Sequence, residues 1–321
     1  MHWLLQEFED THKLAEALDR LGIPYSWHKV VPFVGDLIPE PDIPNTDAVV
    51  MFGSYTLWRY AKARGYRPGV FRLRPFVHEK SWHSFLLNGA DALFLTIRDI
   101  PEQLADDGRL WFIRPVDDSK EEPGNVKATD EIRRMAENVI ALKEDEIPNG
   151  SLRHDTLLML TEPVRILKEW RLWAINGTIV TWSLYKEGSR VVYRHEIDED
   201  ALQFAQEMVD RNAGYSPAYV LDICRTGQGL KLLETNCINA AGFYAANLVK
   251  LAVAVDGLGK TEATPEDGLM RLSPMRIALA RLDGCRSRPD LSRRTSCVNG
   301  NLSASPRVGF GALQHCAGFH R

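Results

Sequence analysis

The chain has 321 residues, of which 45% are hydrophobic and 26% charged, with a formal net charge of -4. This length suits two domains or one large domain with insertions, and the composition is that of an ordinary globular protein. It excludes an overall basic field for duplex nucleic acid, its apolar runs are too short to span a membrane, and its five cysteines lack the spacing of a zinc site or a disulfide framework.

The first hundred residues alternate between helix and strand patterns. HKLAEALDRLGI and YTLWRYAKARGY have apolar residues at helical spacing and each reaches a glycine, which favours a helix end. PYSWHKVV, DAVVMFGSY and PGVF are typical of strands, and EKSWHSFLLNGA predicts a further helix. The alternation predicts a small parallel, Rossmann-like sheet, in which the Gly53-Ser54 turn either cradles a ligand or is a plain tight turn.

From about residue 95 the pattern changes to antiparallel strands with helices. ALFLTI, LWFIRPV and DTLLMLTEP are typical of strands, whereas ATDEIRRMAENVIALKEDE and DEDALQFAQEMVDRN have amphipathic helical spacing. Asn176-Gly177 between two apolar runs is a strong hairpin signal, and the glycines at 227 and 229 predict a second hairpin. The sequence therefore predicts an α/β domain over residues 1–95 and an α+β domain over residues 96–255.

The last segment, residues 256–321, differs in composition from the rest of the chain. From Gly259 onward it is rich in Arg, Ser, Gly and Pro, with ten Lys and Arg residues against five Asp and Glu residues, and its apolar periodicity is weak. We predict a largely disordered tail. It is either a basic arm for nucleic acid or a partner, or an unselected extension, and no site is predicted in it.

Two cations mark the strand LWFIRPV and the turn that follows it. Arg114 interrupts an apolar strand, where a cation is costly unless an anion meets it, and Lys120 follows six residues later. The two could converge on phosphate oxygens. Alternatively, Arg114 pairs with Asp117 or Asp118 at the solvent end of the strand, and these residues alone do not decide between the two interpretations.

Three charged residues surround the start of the strand WRLWAI. Glu162 ends an apolar strand, and Glu169 and Arg171 share one face of the next strand, with Trp170 on the other. A carboxylate at a strand end can accept hydrogen bonds from an adenine amino group or from ribose hydroxyls, and the arginine can hold a phosphate or a carboxylate. The simpler interpretation is a surface ion pair, which contributes little to stability.

The strand LKLLETN ends in polar residues. Simple alternation places Leu230, Leu232, Glu234 and Asn236 on one face, which an ordinary buried strand would keep apolar. A hairpin would bring Asp222 of YVLDIC close to the last two, and acids clustered without a cation would repel one another. Oxygen donors that face one place suit Mg²⁺ carrying nucleotide phosphates better than a strand that merely runs out into water. The sequence therefore favours a metal site here.

In this order, FIRP, EWR, Asp222 and LETN resemble the ATP-grasp superfamily, most closely its bacterial and phage clade with a two-arginine-one-lysine signature. GSYTLWRYAKARGYRPGVF also resembles the first domain of that clade, so the resemblance covers roughly residues 1 to 255. It implies an N-terminal Rossmann-like, pre-ATP-grasp domain followed by a two-lobed ATP-grasp fold. The arginine in FIRP, where many members have lysine, and the glycine-poor loop PVDDSKEEPGN depart from the usual pattern of the family.

The resemblance also implies ATP and Mg²⁺ as cofactors, and it implies a role for each candidate residue. Arg114 and Lys120 would contact the phosphates, Glu162 would lie at the adenine side, and Glu169 would take the ribose. Arg171 would hold the transferring phosphate or the acceptor carboxylate, so that Arg171 and Lys120 are the implied catalytic residues. The implied metal ligands are Asp222, Glu234 and Asn236.

We therefore expect an ADP-forming ligase that uses ATP and Mg²⁺ to join a carboxylate to an amine through an acyl phosphate. Its partners would be a small-molecule or peptide carboxylate, such as an amino acid, and an amine acceptor, with neither nucleic acid nor membrane; the oligomeric state stays open. The alternatives are a kinase-like phosphotransferase on the same fold, a nucleotide-binding module without catalysis, and an α+β protein with chance acids.

Two further expectations concern location and specificity. The N-terminus MHWLLQEFED lacks the basic start and cleavage site of a signal peptide, which together with the cysteine usage favours a cytoplasmic protein. Specificity for the acceptor is expected in the N-terminal domain and in the loops around His78 to His83, where polar side chains could face a cleft.

Overall fold

The structure is a computed structural model that describes residues 1–31, 34–54, 57–87, 89, 91–116, 124–148 and 151–259. Lys120 and the predicted tail from residue 260 onward lie outside these residues. The described part contains three β-sheets and six α-helices in mixed α/β order, which agrees with the predicted fold class. Among the described helices, none is long and apolar enough to cross a membrane.

The N-terminal sheet is mostly parallel, with the strand order β3-β2-β1-β4-β5. Its strands are β1 His2–Gln6, β2 Tyr25–Val30, β3 Leu37–Ile38, β4 Val49–Phe52 and β5 Pro68–Gly69, and its helices are α1 Glu9–Leu21 and α2 Leu57–Arg64. β1 pairs in parallel with β2 and β4, β4 pairs in parallel with β5, and β3 is antiparallel to β2. This confirms the predicted Rossmann-like sheet. The sequence pattern does not reveal β1, because its buried apolar run is only three residues long.

Residues 76–87 do not form the α-helix that EKSWHSFLLNGA predicts. They form short 3₁₀ turns, and Leu86 makes a parallel bridge to Leu232 of a distant strand. Leu87 N donates to Leu232 O at 2.8 Å, and Leu232 N donates to Phe85 O at 2.8 Å. Because these backbone groups pair with another strand, they cannot also make helical hydrogen bonds.

A second sheet is antiparallel and has the strand order β6-β9-β7-β8. Its strands are β6 Leu93–Thr96, β7 Leu110–Pro115, β8 Asn125–Ala128 and β9 Leu157–Thr161, and its helices are α3 Ile100–Gln103 and α4 Thr129–Ile140. Ile113 and Leu160 lie on the face that packs against the helices. Phe112, Arg114 and Met159 alternate with these residues and lie on the opposite face, which is therefore free to take part in a site.

The third, central sheet is antiparallel and has the strand order β12-β11-β10-β13-β14. Its strands are β10 Ile166–Ile175, β11 Thr178–Glu187, β12 Arg190–Arg194, β13 Ala218–Thr226 and β14 Gly229–Asn236, and the accompanying helices are α5 Glu199–Arg211 and α6 Leu248–Leu258. Asn176 and Gly177 both have positive φ, at 48° and 76°, which confirms the predicted hairpin between β10 and β11.

The two faces of the central sheet pack differently. Trp170 and Leu172 belong to a core cluster with residues of α5. Trp173 and Ile175, which alternate with them along β10, pack with Trp3 and other residues of the N-terminal sheet and of α1 and α6. Apolar packing therefore continues from the N-terminal sheet onto one end of the central sheet, and the remainder of that face carries the polar residues described next.

Candidate active site

Five polar side chains lie on one face of the central sheet, the face opposite α5. Glu169 and Arg171 come from β10, Asp222 from β13, and Glu234 and Asn236 from β14. The register places Arg171 opposite Asp222, and Asp222 opposite Glu234. Because directly opposed residues share a face, three charged side chains form a row across three strands. The structure thus brings together these five predicted site residues, which we call the charged row.

A register shift in the β13–β14 hairpin positions Glu234. Asp222 lies opposite Glu234 whereas Ile223 lies opposite Leu232, so Leu233 is an extra residue with no opposed partner in the ladder. Leu232 therefore lies with Ile223 on the α5 side, and Glu234 lies with Asp222 on the other side. The expectation that Leu232 and Glu234 share one face is wrong, because strict alternation does not continue through a bulge.

Arg171 and Asp222 form the buried centre of the charged row. Arg171 Nε donates to Asp222 Oδ1 at 2.9 Å, and Arg171 Nη2 donates to Asp222 Oδ2 at 2.7 Å. Asp222 is fully buried and Arg171 is 8% exposed, so this two-point contact is not the surface ion pair considered from the sequence. The remaining nitrogen, Nη1, donates to Gly242 O at 3.5 Å, and the guanidinium lies 4.8 Å from the centre of the Tyr244 ring.

Burial and neighbouring charge set the ionisation of this pair. Burial raises the pKa of Asp222 to about 6; Arg171 opposes this rise and Glu234 adds to it. Burial acts to lower the pKa of Arg171, but the Asp222 carboxylate outweighs it and holds that pKa well above its usual value. Both groups are therefore charged at neutral pH, and Asp222 is the one that takes up a proton in mild acid.

Asn236 and Arg114 connect this pair to the rest of the site through Glu234. Asn236 Nδ2 donates to Asp222 Oδ2 at 3.2 Å and to Glu234 Oε1 at 3.0 Å. Arg114 Nη1 donates to Glu234 Oε2 at 2.7 Å, across the gap between the second sheet and the central sheet. The anion that Arg114 meets is thus Glu234; the acidic turn considered as its alternative partner lies outside the described residues.

Glu169 is held by two residues that the sequence pattern does not reveal. Tyr185 Oη donates to Glu169 Oε2 at 2.6 Å, and Lys186 Nζ lies 2.8 Å from Glu169 Oε1. Lys186 lies opposite Glu169, but two register shifts separate this pair from the Asn176-Gly177 turn. Counting residues back from the turn would place a different residue there, so the hairpin signal alone could not identify Lys186.

Two predicted site residues stand apart from the charged row. Glu162 follows β9, its side chain is 72% exposed, and it forms an ion pair with Arg109. The Arg109 guanidinium also lies 4.5 Å from the centre of the Trp111 ring, at the outer part of the second sheet. Lys120 lies outside the described residues, so its role stays a prediction.

An apolar crevice adjoins the charged row. Its lining includes Phe76, Phe112, Met159 and Leu233, together with Arg114. Phe112 and Met159 come from the face of the second sheet that is turned away from α4, and Leu233 is the bulged residue of β14. The crevice is therefore formed by both sheets, and Arg114 links it to the charged row.

Asn239 joins the end of the central sheet to the N-terminal sheet. Its Oδ1 accepts from Phe71 N at 2.9 Å, and its Nδ2 donates to Met51 O at 2.5 Å and to Gly69 O at 3.3 Å. Its backbone oxygen accepts from Gly53 N at 2.7 Å. The sequence pattern singles out a polar residue here but gives no sign of these partners, because all of them are far away along the chain.

The Gly53-Ser54 turn uses its backbone donors within the fold. Gly53 N donates to Asn239 O at 2.7 Å, and Ser54 N donates to Gln6 Oε1 at 2.8 Å. A Cβ at Gly53 would lie 2.5 Å from Gln6 Cβ, so glycine is required for this close approach. These contacts favour the plain tight turn over the ligand cradle, because the donors that a ligand would need already have partners.

The donor set of the charged row fits one Mg²⁺. Asp222 and Glu234 offer carboxylate oxygens, and Asn236 offers an amide oxygen when its amide group is turned round, which makes a set of hard oxygen ligands. Arg114 and Arg171 now balance the two carboxylates, so a cation could replace Arg114 beside Glu234 without leaving charge unbalanced. No cluster of three His, Cys, Asp or Glu residues occurs in the described part of the chain; this set has two such groups and an asparagine.

Comparison with known proteins links this geometry to one family of folds. The family model described as an ATP-grasp domain, family 3 of the clade named for two arginines and one lysine, matches residues 60–255. The D-cycloserine synthetase DcsG superposes with a TM-score of 0.55 at 13% identity, over 81% of this chain and 100% of that chain. No functionally curated protein matches.

Two other solved structures share the fold. The D-alanine–D-alanine ligase from Bacillus anthracis complexed with ATP has a TM-score of 0.51 at 12% identity, over 82% of this chain and 98% of that chain. The RimK domain ATP-grasp protein from Sphaerobacter thermophilus DSM 20745 has a TM-score of 0.50 at 14% identity, over 81% of this chain and 97% of that chain. At such identities, these likenesses concern the fold.

Proposed function

Because the chain belongs to this ATP-grasp domain family, family 3 of its clade, we propose that it is a ligase that uses ATP and Mg²⁺ to join a carboxylate to an amine. The observation that carries this proposal is the ion pair of Arg114 and Glu234, which joins an apolar crevice to a row of buried charges. A planar apolar base and a polyanionic phosphate chain need those two environments side by side.

The nucleotide would lie with its adenine in the crevice and its phosphates at the charged row. Phe112, Met159 and Leu233 offer apolar contact to the base. Glu169 would accept from the ribose hydroxyls with the lone pairs that Tyr185 leaves free, since a carboxylate has about four acceptor sites. The ligase from Bacillus anthracis with this fold was solved with ATP, which supports the same ligand here.

The outer end of the nucleotide site rests on two further residues. Glu162 would lie at the adenine side, which requires it to leave Arg109 when nucleotide binds. Lys120 would reach the phosphates from the loop after β7, next to Arg114. Both roles are proposals that follow from their positions along the chain relative to the family pattern.

Asp222, Glu234 and Asn236 would hold Mg²⁺, which when bound neutralises phosphate charge. Arg114, displaced from Glu234, would turn to the phosphate oxygens, and a guanidinium fork suits this contact. Arg171 is fixed by two hydrogen bonds to Asp222, so its free Nη1 has a defined direction and can face the transferred phosphoryl group or the substrate carboxylate.

The reaction proposed has two steps. A carboxylate oxygen attacks the γ-phosphorus of ATP and ADP leaves, which gives an acyl phosphate. The amine nitrogen then attacks the acyl carbon, inorganic phosphate leaves, and the nitrogen loses a proton. Both steps depend on positioning and on charge neutralisation, and the arginines of the charged row supply these without a nucleophilic side chain.

We also propose that the two predicted domains divide the work. The crevice and the charged row draw mainly on β7, β9, β10, β13 and β14, all of which lie within residues 96–255. Residues 1–95 would then contribute mainly to recognition of the substrates. A small-molecule or peptide carboxylate and an amine remain the proposed partners.

The first test is a calorimetric titration of ATP into the full chain, with and without Mg²⁺. We expect Mg²⁺-dependent binding that Glu234→Gln weakens by at least roughly tenfold, because a charged ligand is lost. The matched control is Glu137→Gln on the exposed surface of α4, which should leave the affinity unchanged. A folded wild-type chain that binds no nucleotide contradicts the proposal.

The second test concerns the intermediate. Hydroxylamine traps an acyl phosphate as a hydroxamate, so a panel of carboxylates is incubated with the full chain, MgATP and hydroxylamine. We expect hydroxamate and ADP to form in equal amounts with at least one carboxylate. ADP formed without hydroxamate would favour the kinase-like alternative, and MgATP binding without any turnover would favour the non-catalytic module.

A further inference from the structure

We propose, resting on the ligase function above, that the acceptor amine binds as an ammonium group between Asp10 of α1 and the Tyr244 ring, over Gly242. We call this space the acceptor pocket. It is a specific site on the N-terminal domain side of the charged row, and it assigns to the substrate a free primary amine such as that of an amino acid.

The geometry around Gly242 brings the three chemical groups of the pocket together. A Cβ built at Gly242 would lie 3.5 Å from Asp10 Oδ2 and 3.5 Å from Tyr244 Cε1, so the carboxylate and the ring are both close to the same backbone position. Gly242 O accepts from Arg171 Nη1 at 3.5 Å. The pocket therefore adjoins the arginine nitrogen that Asp222 does not hold.

Tyr244 is fixed in place with its ring against this space. Its φ is 50°, a left-handed conformation that a bulky residue adopts only when its surroundings hold it there. Its ring stacks on Tyr185, with centroids 5.3 Å apart, and on Tyr193, with centroids 4.9 Å apart and planes within 8° of parallel. The following residue is anchored by Ala245 N, which donates to Ser183 Oγ at 3.2 Å.

A carboxylate beside an aromatic ring is chemistry that recognises a cation. The ring face attracts an ammonium through its quadrupole, and the carboxylate accepts its hydrogen bonds. The Asp10 side chain is 32% exposed, so a ligand can reach it, and its cationic neighbour Lys13 has its Nζ 3.9 Å away, at the edge of ion-pair distance. An anionic or purely apolar group would find no favourable partner at Asp10.

The ordinary role of Asp10 would be to stabilise the N-terminus of α1 through the helix dipole. Glu9, in the same turn of α1, serves that purpose equally well and is exposed to solvent. The two acids differ in that Asp10 alone lies against Gly242. They therefore form a matched pair, since loss of either removes one charge from the same helix turn.

The position of the pocket fits the second step of the proposed reaction. An attacking amine must approach the acyl carbon to about 3 to 3.5 Å. Arg171 Nη1, which faces the reacting carboxylate in the proposed function, already contacts Gly242 at the pocket floor. An amine held by Asp10 and Tyr244 would thus lie next to the group that it attacks.

The test uses the full chain with Mg²⁺ and a non-hydrolysable ATP analogue, titrated by calorimetry with a panel of common amino acids and their N-acetyl counterparts. We expect at least one amino acid to bind and its N-acetyl counterpart not to bind. Asp10→Asn should weaken this binding by at least about tenfold, whereas Glu9→Gln should leave it unchanged.

Gly242→Ala gives a second variant that tests the space rather than the charge. Its Cβ would meet Asp10 and Tyr244 at ordinary contact distance, so the fold should tolerate it while the pocket narrows, and amino-acid binding should fall. The pocket is overturned if no amino acid binds better than its N-acetyl counterpart, or if Asp10→Asn and Glu9→Gln behave alike. Loss of analogue binding would instead contradict the ligase function, and the amino-acid titration repeated without nucleotide would still decide the pocket.

Discussion

Asp222 is a fully buried carboxyl group whose pKa is raised by burial to about 6. A metal ion binds the ionised carboxylate, so proton uptake and Mg²⁺ compete for the same oxygens. As the pH falls through about 6, the protonated fraction of Asp222 rises, and Mg²⁺-dependent nucleotide binding should weaken. We expect a nearly constant affinity from about pH 7 to about pH 8 and a several-fold loss by about pH 5.5, measured by calorimetry.

The nucleotide also takes up protons in this range, so a control is needed. The titration of Mg²⁺ into ATP without protein, in the same buffers, gives the contribution of the nucleotide itself. An affinity for the Mg²⁺ complex that stays constant down to about pH 5.5 after this correction would show that Asp222 does not act as a ligand.

Single residues also show how far the sequence reaches toward the site. Glu169 and Arg171 could be placed on one face because their spacing follows the period of a strand. Asp222 could be placed near Glu234 because a hairpin folds the two strands together. Asp10 could not be found in this way, because its contact with Gly242 depends on how α1 packs and leaves no local pattern.

At the scale of elements, the β10–β11 hairpin supports one half of the charged row. Gly177 has a φ of 76°, and a Cβ there would meet nothing within 4 Å, so alanine would be disfavoured by backbone conformation alone. We expect Gly177→Ala to lower the free energy of unfolding by about 1 kcal/mol, measured by urea denaturation, and to leave nucleotide affinity unchanged.

Gly257 in α6 provides the opposite case with the same substitution. A Cβ at Gly257 also meets nothing within 4 Å, but the residue lies in a helix, where alanine is favoured over glycine by roughly 0.5 to 1 kcal/mol. Gly257→Ala should therefore raise the free energy of unfolding. If both variants shift stability in the same direction, backbone conformation is not what decides their effects.

Elements were predicted well where their signal is local. The hairpin at Asn176-Gly177 and helix α5 follow from turn chemistry and apolar spacing within a few residues. Residues 76–87 carry an equally good helical pattern, yet their backbone pairs with Leu232. The pattern failed there because a strand edge offered the same backbone groups other partners.

At the scale of the whole molecule, Asn239 couples the N-terminal sheet to the central sheet. Asn239→Ala would leave Met51 O, Gly69 O and Phe71 N without this side-chain partner in a buried place. We expect the free energy of unfolding to fall by roughly 3 kcal/mol, because each buried polar group that loses its partner costs about 1 to 3 kcal/mol. Amide exchange should rise in β4 and β5 much more than in β13.

Asn212→Ala is the matched control for this prediction. The Asn212 side chain also donates to a distant residue, Glu79, at 3.0 Å, but in a partly buried place where water can replace it. We expect a loss of less than about 1 kcal/mol and no change of exchange in β4. Equal losses in the two variants would mean that Asn239 has no special part in joining the sheets.

The sequence by itself determined the order of the helices and strands, the hairpins, and the ordered set of charges from Arg114 to Asn236. It could do so because strand alternation, helical spacing and turn preferences act over a few residues. Only the tertiary structure decided that Arg114 meets Glu234, 120 residues away, that Leu233 bulges into the crevice, and that Asp10 lies over Gly242. These contacts depend on packing between sheets, and such packing is set by the whole chain rather than by any local pattern.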